Sequence, residues 1–156
     1  MEKVKEQFDR VKRWHTRFHE IHSDREHTRD SLYNQDVVYA FFQNCWSLKD
    51  WIINSSILSE EKVGVIKDFF YTNTDMKICR DIANGSKHLS INKPSIDSNI
   101  SMSSSVISLS IGGGVPKEEV FYWIHAKGFP PLNAFDLAST LLAVTEGFLK
   151  KQGLLN

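Results

Sequence analysis

Val37-Val38-Tyr39-Ala40-Phe41-Phe42-Gln43-Asn44-Cys45-Trp46-Ser47-Leu48-Lys49-Asp50-Trp51-Ile52-Ile53 is the stretch that decides the fold. Val37, Val38, Phe41, Cys45, Leu48 and Ile52 return to one face at helical spacing, and Phe42, Trp46 and Ile53 widen the apolar surface. A helix that is apolar around much of its circumference must be surrounded by others. The pattern predicts a central helix from about Leu32 to Asn54, capped by Asp30 or Ser31.

Upstream, Val4, Phe8, Val11, Phe18 and Ile21 mark the buried face of a helix from about Glu2 to His22. Lys3, Lys5, Arg10, Lys12, Arg13 and Arg17 surround that face. His15, His19 and His22 follow at i, i+4 and i+7, which turns His15 and His22 toward the apolar stripe and leaves His19 at its edge. Residues 23–30 form a polar connector. Downstream, Ser59 is placed to cap a third helix reaching about Tyr71, with Val63, Ile66, Phe69 and Phe70 inward. Asn73 or Thr74 starts a fourth, with Met76, Cys79 and Ala83 inward. Asn84-Gly85 suits its end, although a helix can also run through Gly85.

The composition changes after Leu89. Nine serines fall between Ser90 and Ser110, and Ile107-Ser108-Leu109-Ser110-Ile111 alternates as a half-buried strand does. Gly112-Gly113-Gly114 breaks the strand. A second, from about Glu119 to Ala126, puts Val120, Tyr122 and Ile124 on one face and Phe121, Trp123 and His125 on the other. This predicts an antiparallel hairpin, with room for a third strand around Ile100 to Met102. Asn133 caps the last helix, Ala134, Leu137, Leu141, Val144 and Phe148 supply its buried face, and Gly153 suits its stop. The fold class is mainly α: one domain over 1–156, a bundle of about five helices with a small antiparallel β hairpin inserted at about 100–126, before the last helix.

The 19 basic residues balance the 19 acidic ones, so net charge predicts no general attraction to nucleic acid or an anionic membrane; a local patch remains open. Met1 to Glu6 lacks the apolar run of a signal peptide, and no apolar stretch approaches the ~20 residues of a membrane span. These features give an expectation of a cytoplasmic protein with no membrane partner, in which Cys45 and Cys79 are small buried hydrophobes rather than a disulfide.

Chemistry concentrates in Cys79-Arg80-Asp81-Ile82-Ala83-Asn84-Gly85-Ser86-Lys87-His88-Leu89. If the segment is helical throughout, Arg80, Asn84 and Lys87 share a flank, with His88 at i+4 from Asn84; if the helix stops, Lys87 and His88 project from a turn. Either way, cations and an imidazole can converge on a phosphate, the imidazole moving protons near neutral pH and the cations stabilising developing charge. Against this stands a plain helix C-terminus with cationic residues and a glycine cap. His15, His19 and His22 have workable spacing for a metal ion, but the zinc-protease pattern His-Glu-x-x-His is one residue short at His19-Glu20-Ile21-His22, and packing in the bundle is the favoured reading. No cofactor is indicated.

Arg80-Asp81 followed by His88, in a helical bundle, resembles the higher-eukaryote-and-prokaryote nucleotide-binding (HEPN) superfamily. Phe41 to Ile52 together with Asp81 to His88 also looks like a group of small uncharacterised bacterial proteins. The superfamily resemblance implies a metal-independent endoribonuclease, assembled as a homodimer, in which the RNA 2′-hydroxyl attacks. It assigns Arg80 to phosphate stabilisation, His88 to proton transfer and Asp81 to orientation, with Asn84 and Lys87 beside them. Seven residues separate Arg80 from His88, more than in the superfamily pattern. Two other functions are compatible with the sequence: a non-catalytic module whose hairpin and exposed aromatic residues contact a protein partner, and a metal-binding protein using His15, His19 and His22.

Overall fold

The computed structural model describes residues 2–23, 31–55, 58–85, 100–109, 117–126 and 128–155. In chain order these form α1 (Glu2–Ser23), α2 (Ser31–Ser55), α3 (Glu60–Thr72), α4 (Thr74–Gly85), β1 (Ser101–Leu109), β2 (Lys117–His125), β3 (Leu132–Asn133) and α5 (Ala134–Lys151). The chain is mainly helical, with a three-stranded antiparallel sheet placed before the last helix. No helix among the described residues is long and apolar enough to cross a membrane.

α2 is the central element. It packs most extensively against α1 on one side and α4 on another, with α3 and α5 completing its surroundings. Val37, Val38, Phe41, Phe42, Cys45, Leu48 and Ile52 are all buried, as the periodicity requires. The buried stripe of α1 (Val4, Phe8, Val11, Phe18 and Ile21) completes this core. Both cysteines are free and buried, and the Cys79 thiol donates to the Phe42 carbonyl at 3.5 Å, which sets α4 directly against the middle of α2. Burial raises the Cys79 pKa well above that of an ordinary thiol, and the adjacent Cys45 adds to the effect, so the thiol stays protonated.

The helix ends follow local chemistry. The Ser59 hydroxyl accepts from Lys62 N at 3.3 Å, Asn73 Oδ1 from Met76 N at 3.0 Å, and Asn133 Oδ1 from Phe135 N and Asp136 N at 2.9 and 3.3 Å. α5 stops with Gly153 at φ 66°, where Gly153 N reaches Lys150 O and Leu154 N reaches Leu149 O, each at 2.9 Å. The left-handed backbone at Gly153 thus satisfies two otherwise orphaned carbonyls and tucks Leu154 into the core.

The sheet corrects the strand boundaries. Ile100 to Met102 does not make a separate strand: β1 runs unbroken from Ser101 and pairs with β2 from Ser101↔His125 to Leu109↔Lys117. The third strand is β3, on the other edge of β2, through Trp123↔Asn133 and Ile124↔Leu132. Tyr122 and Ile124 share one face, as the alternation requires, and that face is the buried one; Val106 and Ile107 are 58% and 48% exposed. Ile107, the one member of the alternating run whose burial is described, is thus left uncovered by the helices that cover Tyr122 and Ile124. Residues 110–116, including the glycine run, lie outside the described residues.

In α5 the buried face is Ala134, Leu137, Ala138, Leu141, Thr145 and Leu149. Val144 and Phe148 are only half-buried. Phe148 instead stacks on Phe69 of α3, ring centroids 4.0 Å apart.

Candidate functional site

α4 divides the predicted site residues between its two sides. Asp81 is completely buried with Ile78, Ile82 and Ala83, whereas Arg80 and Asn84 are half-buried. Contact with a ligand therefore falls to Arg80 and Asn84, and Asp81 belongs to the interior. Lys87 and His88 lie outside the described residues, so α4 brings together the first part of the motif only.

Arg80 meets two aromatic rings. Its guanidinium carbon lies 5.8 Å from the Trp46 ring centroid and 5.6 Å from that of Tyr71. Lys49 approaches the same rings, with Nζ at 4.6 and 4.8 Å. The rings stand edge to face, 5.6 Å apart and at 83°. α2 supplies Trp46 and Lys49 one turn apart, α3 supplies Tyr71 at its last turn, and α4 supplies Arg80. Four side chains from three helices thus make one cationic and aromatic cluster.

Lys49 is the unusual member, a lysine only 8% exposed. Its ammonium donates to the Tyr71 hydroxyl at 2.9 Å and lies 3.3 Å from Asp50 Oδ1. Burial of a cation costs several kcal/mol unless partners compensate it, and here a phenol, two π faces and one carboxylate share that role. Arg80 makes no ion pair among the described residues. Asp50, the one carboxylate ion-paired in this cluster among the described residues, belongs to Lys49 and is itself exposed, which leaves the two cations in excess. The cluster is suited to an anion carrying several acceptor oxygens.

Neither Lys49, Trp46 nor Tyr71 was marked by sequence reasoning as a partner of Arg80. The available signal was the i, i+3 pair of Trp46 and Lys49 on the central helix, which puts a cation beside an indole.

The histidines of α1 gather elsewhere, around Phe135 at the start of α5. His15 and His22 stack on that ring at 5.1 and 5.0 Å, with interplanar angles of 28° and 19°. His19 tilts against it at 5.6 Å. His15 Nε2 is 2.9 Å from Ser139 Oγ, and His22 Nδ1 is 3.4 Å from Val120 O on β2. The inward turn of His15 and His22 is thus met by a phenyl ring, and no three His, Cys, Asp or Glu side chains among the described residues converge as a metal set. The cluster joins α1, α5 and the edge of β2 as packing.

Burial, and then the neighbouring His19, lower the His15 pKa below its ordinary 6.5. The folded state therefore resists a proton that the unfolded chain accepts. The stability that neutral His15 contributes is complete above pH 6.5 and is lost as pH falls below it. Thermal unfolding followed from pH 7.5 to 5.5 should show a falling midpoint, and His15→Gln should reduce the slope. One proton limits the effect to about 1.4 kcal/mol per pH unit. An unchanged slope in the variant would remove His15 as the cause.

Comparison of the chain with protein-family models, with curated proteins and with solved structures finds no match.

Proposed function

We propose that this helical bundle binds single-stranded RNA at the Arg80 cluster and cleaves it without a metal ion, with His88 as the proton-transfer group. One observation carries the binding step: Arg80 and Lys49 lie over the same two rings, Trp46 and Tyr71, with Asp50 as their sole ion-paired carboxylate among the described residues. A phosphodiester offers paired oxygens to the guanidinium fork, and Tyr71, 42% exposed, offers a ring edge and face to a neighbouring base. Double-stranded ligands keep their bases stacked and could not use that ring.

The cleavage step rests on the sequence resemblance to the HEPN superfamily. The 2′-hydroxyl attacks the adjacent phosphorus, the bond to the 5′ oxygen breaks, and the products are a 2′,3′-cyclic phosphate and a 5′-hydroxyl. The proton leaving the 2′-oxygen and the proton taken up by the 5′-oxygen pass through His88 and solvent, while Arg80 holds the charge on phosphorus. The same resemblance carries the homodimer.

A mixed RNA pool incubated with a chelator tests this reading. Wild-type protein should release fragments ending in cyclic phosphate, and His88→Ala, still folded by circular dichroism, should be slower by about 10²-fold or more. Equal rates would acquit His88. Binding without cleavage by the wild type would reduce the function to RNA binding.

A second reading has its own observation: Val106 and Ile107 are exposed near the far end of the edge strand β1, where a protein partner could cover them. Pull-down of a partner that is lost on Ile107→Lys, with RNA binding intact, would favour it.

A further inference from the structure

The seam between α1 and α2 carries a second set of cations on indole rings, built from other residues. Lys3, Arg10 and Arg17 recur every seven residues along α1, so they line one stripe about 21 Å long at a rise of about 1.5 Å per residue. Arg10 lies over the Trp51 ring at 5.3 Å, and Arg17 over Trp14 at 4.6 Å. Trp14 belongs to the same stripe, and Trp51 faces it from α2.

Arg10 is held in place. Its Nη1 donates to Gln7 Oε1 at 2.9 Å, and Gln7 is fully buried. Gln7 Nε2 in turn donates to the Asn44 carbonyl and to Ser47 Oγ, each at 3.1 Å. A buried amide is costly unless its groups are satisfied, and here its acceptor is used to orient a guanidinium. Beside Trp51 the seam widens into a shallow, open depression of about 290 Å³ bordered by Lys3, Asp50, Trp51 and Asn54.

The guanidinium–indole pairs favour an anionic occupant that also presents flat rings. Glu6 lies 3.5 Å from Arg10, and Asp50 borders the depression. Glu2 and Asp9 line the opposite cleft of α1, toward α5. Exposed Glu20 on α1 and exposed Asp36 on α2 flank the stripe as well, so the preference comes from the cations set on rings and not from net charge.

We infer that this stripe is a track for a longer single-stranded RNA, its phosphates on Lys3, Arg10 and Arg17 and a base against Trp51. The inference rests on the RNA reading above and extends it from one nucleotide step to a strand. Cations interleaved with aromatic faces suit an unstacked strand, because every base presents a π face and every step a phosphate.

Fluorescence anisotropy with labelled RNAs of about 6 and about 20 nucleotides, over a salt series, tests the track. Arg10→Ala/Arg17→Ala should weaken binding of the long RNA by at least about tenfold and lower the salt slope by about 1.4, at about 0.7 per lost phosphate contact. Binding of the short RNA should stay within about twofold, because the Arg80 cluster suffices for it. Unchanged long-RNA affinity and slope in the double variant, with both RNAs lost in Arg80→Ala, would overturn the track and leave the Arg80 site standing. Absence of binding by the wild type to either RNA would overturn the RNA reading, and the track with it.

Discussion

Phe41→Ala should lower the unfolding free energy by about 3–5 kcal/mol, among the largest single-residue losses expected in this fold. Phe41 is completely buried, and its ring meets Phe42 at 5.3 Å, His15 at 5.8 Å and Phe18 at 6.5 Å. The substitution removes apolar area and leaves a void at the meeting of α1 and α2, while each lost aromatic pair adds about 0.5–1.5 kcal/mol. Domains of this kind are stable by only about 5–15 kcal/mol, so the loss is a large part of the whole. Chemical denaturation followed by circular dichroism measures it. A loss under about 1 kcal/mol would mean that α2 is not the centre of the core.

Arg80→Ala should weaken single-stranded RNA binding by about 10- to 100-fold while leaving the fold intact. A hydrogen bond to a charged group is worth about 1.5–3 kcal/mol, and about 1.4 kcal/mol is a factor of ten in affinity. Arg80 is half-buried and contributes ring contacts, so its removal costs stability only on the order of 1 kcal/mol. Arg80→Lys separates charge from shape: it keeps the cation but loses the planar fork and its contacts with Trp46 and Tyr71, so affinity should recover only in part. Full recovery would show that charge alone matters. No loss in the alanine variant would place the RNA elsewhere.

The fold was legible where the signal is local or strongly periodic. Val37, Val38, Phe41, Cys45, Leu48 and Ile52 share one face at the helical period, and caps such as Asn133 and Gly153 act on the backbone within a turn. The face of α5 was harder to set. Leu141, Leu142, Val144, Phe148 and Leu149 surround its second half, and that apolar ring does not say which side is inward; packing chose Thr145 and Leu149 over Val144 and Phe148. β3 has two residues, too few to show an alternation, so the sequence points to Ile100 to Met102 for a third strand instead.

The site was legible as residues and not as neighbours. Arg80, Asp81 and Asn84 stand out by chemistry, but the burial of Asp81 and the pairing of Arg80 with Lys49, Trp46 and Tyr71 depend on how three helices meet. Angular position on α1 is enough to turn His15 and His22 inward and leave His19 exposed. Their partner, Phe135, sits at the other end of the chain and nothing in α1 names it.

The measurement that bears most directly on the central claim is an NMR titration with a short single-stranded RNA, following the Arg80 guanidinium and the indole N–H signals of the four tryptophans. Saturable shifts at Arg80 and Trp46, with Trp123 unmoved, are the predicted result. Saturable binding that leaves both Arg80 and Trp46 unmoved would contradict the account.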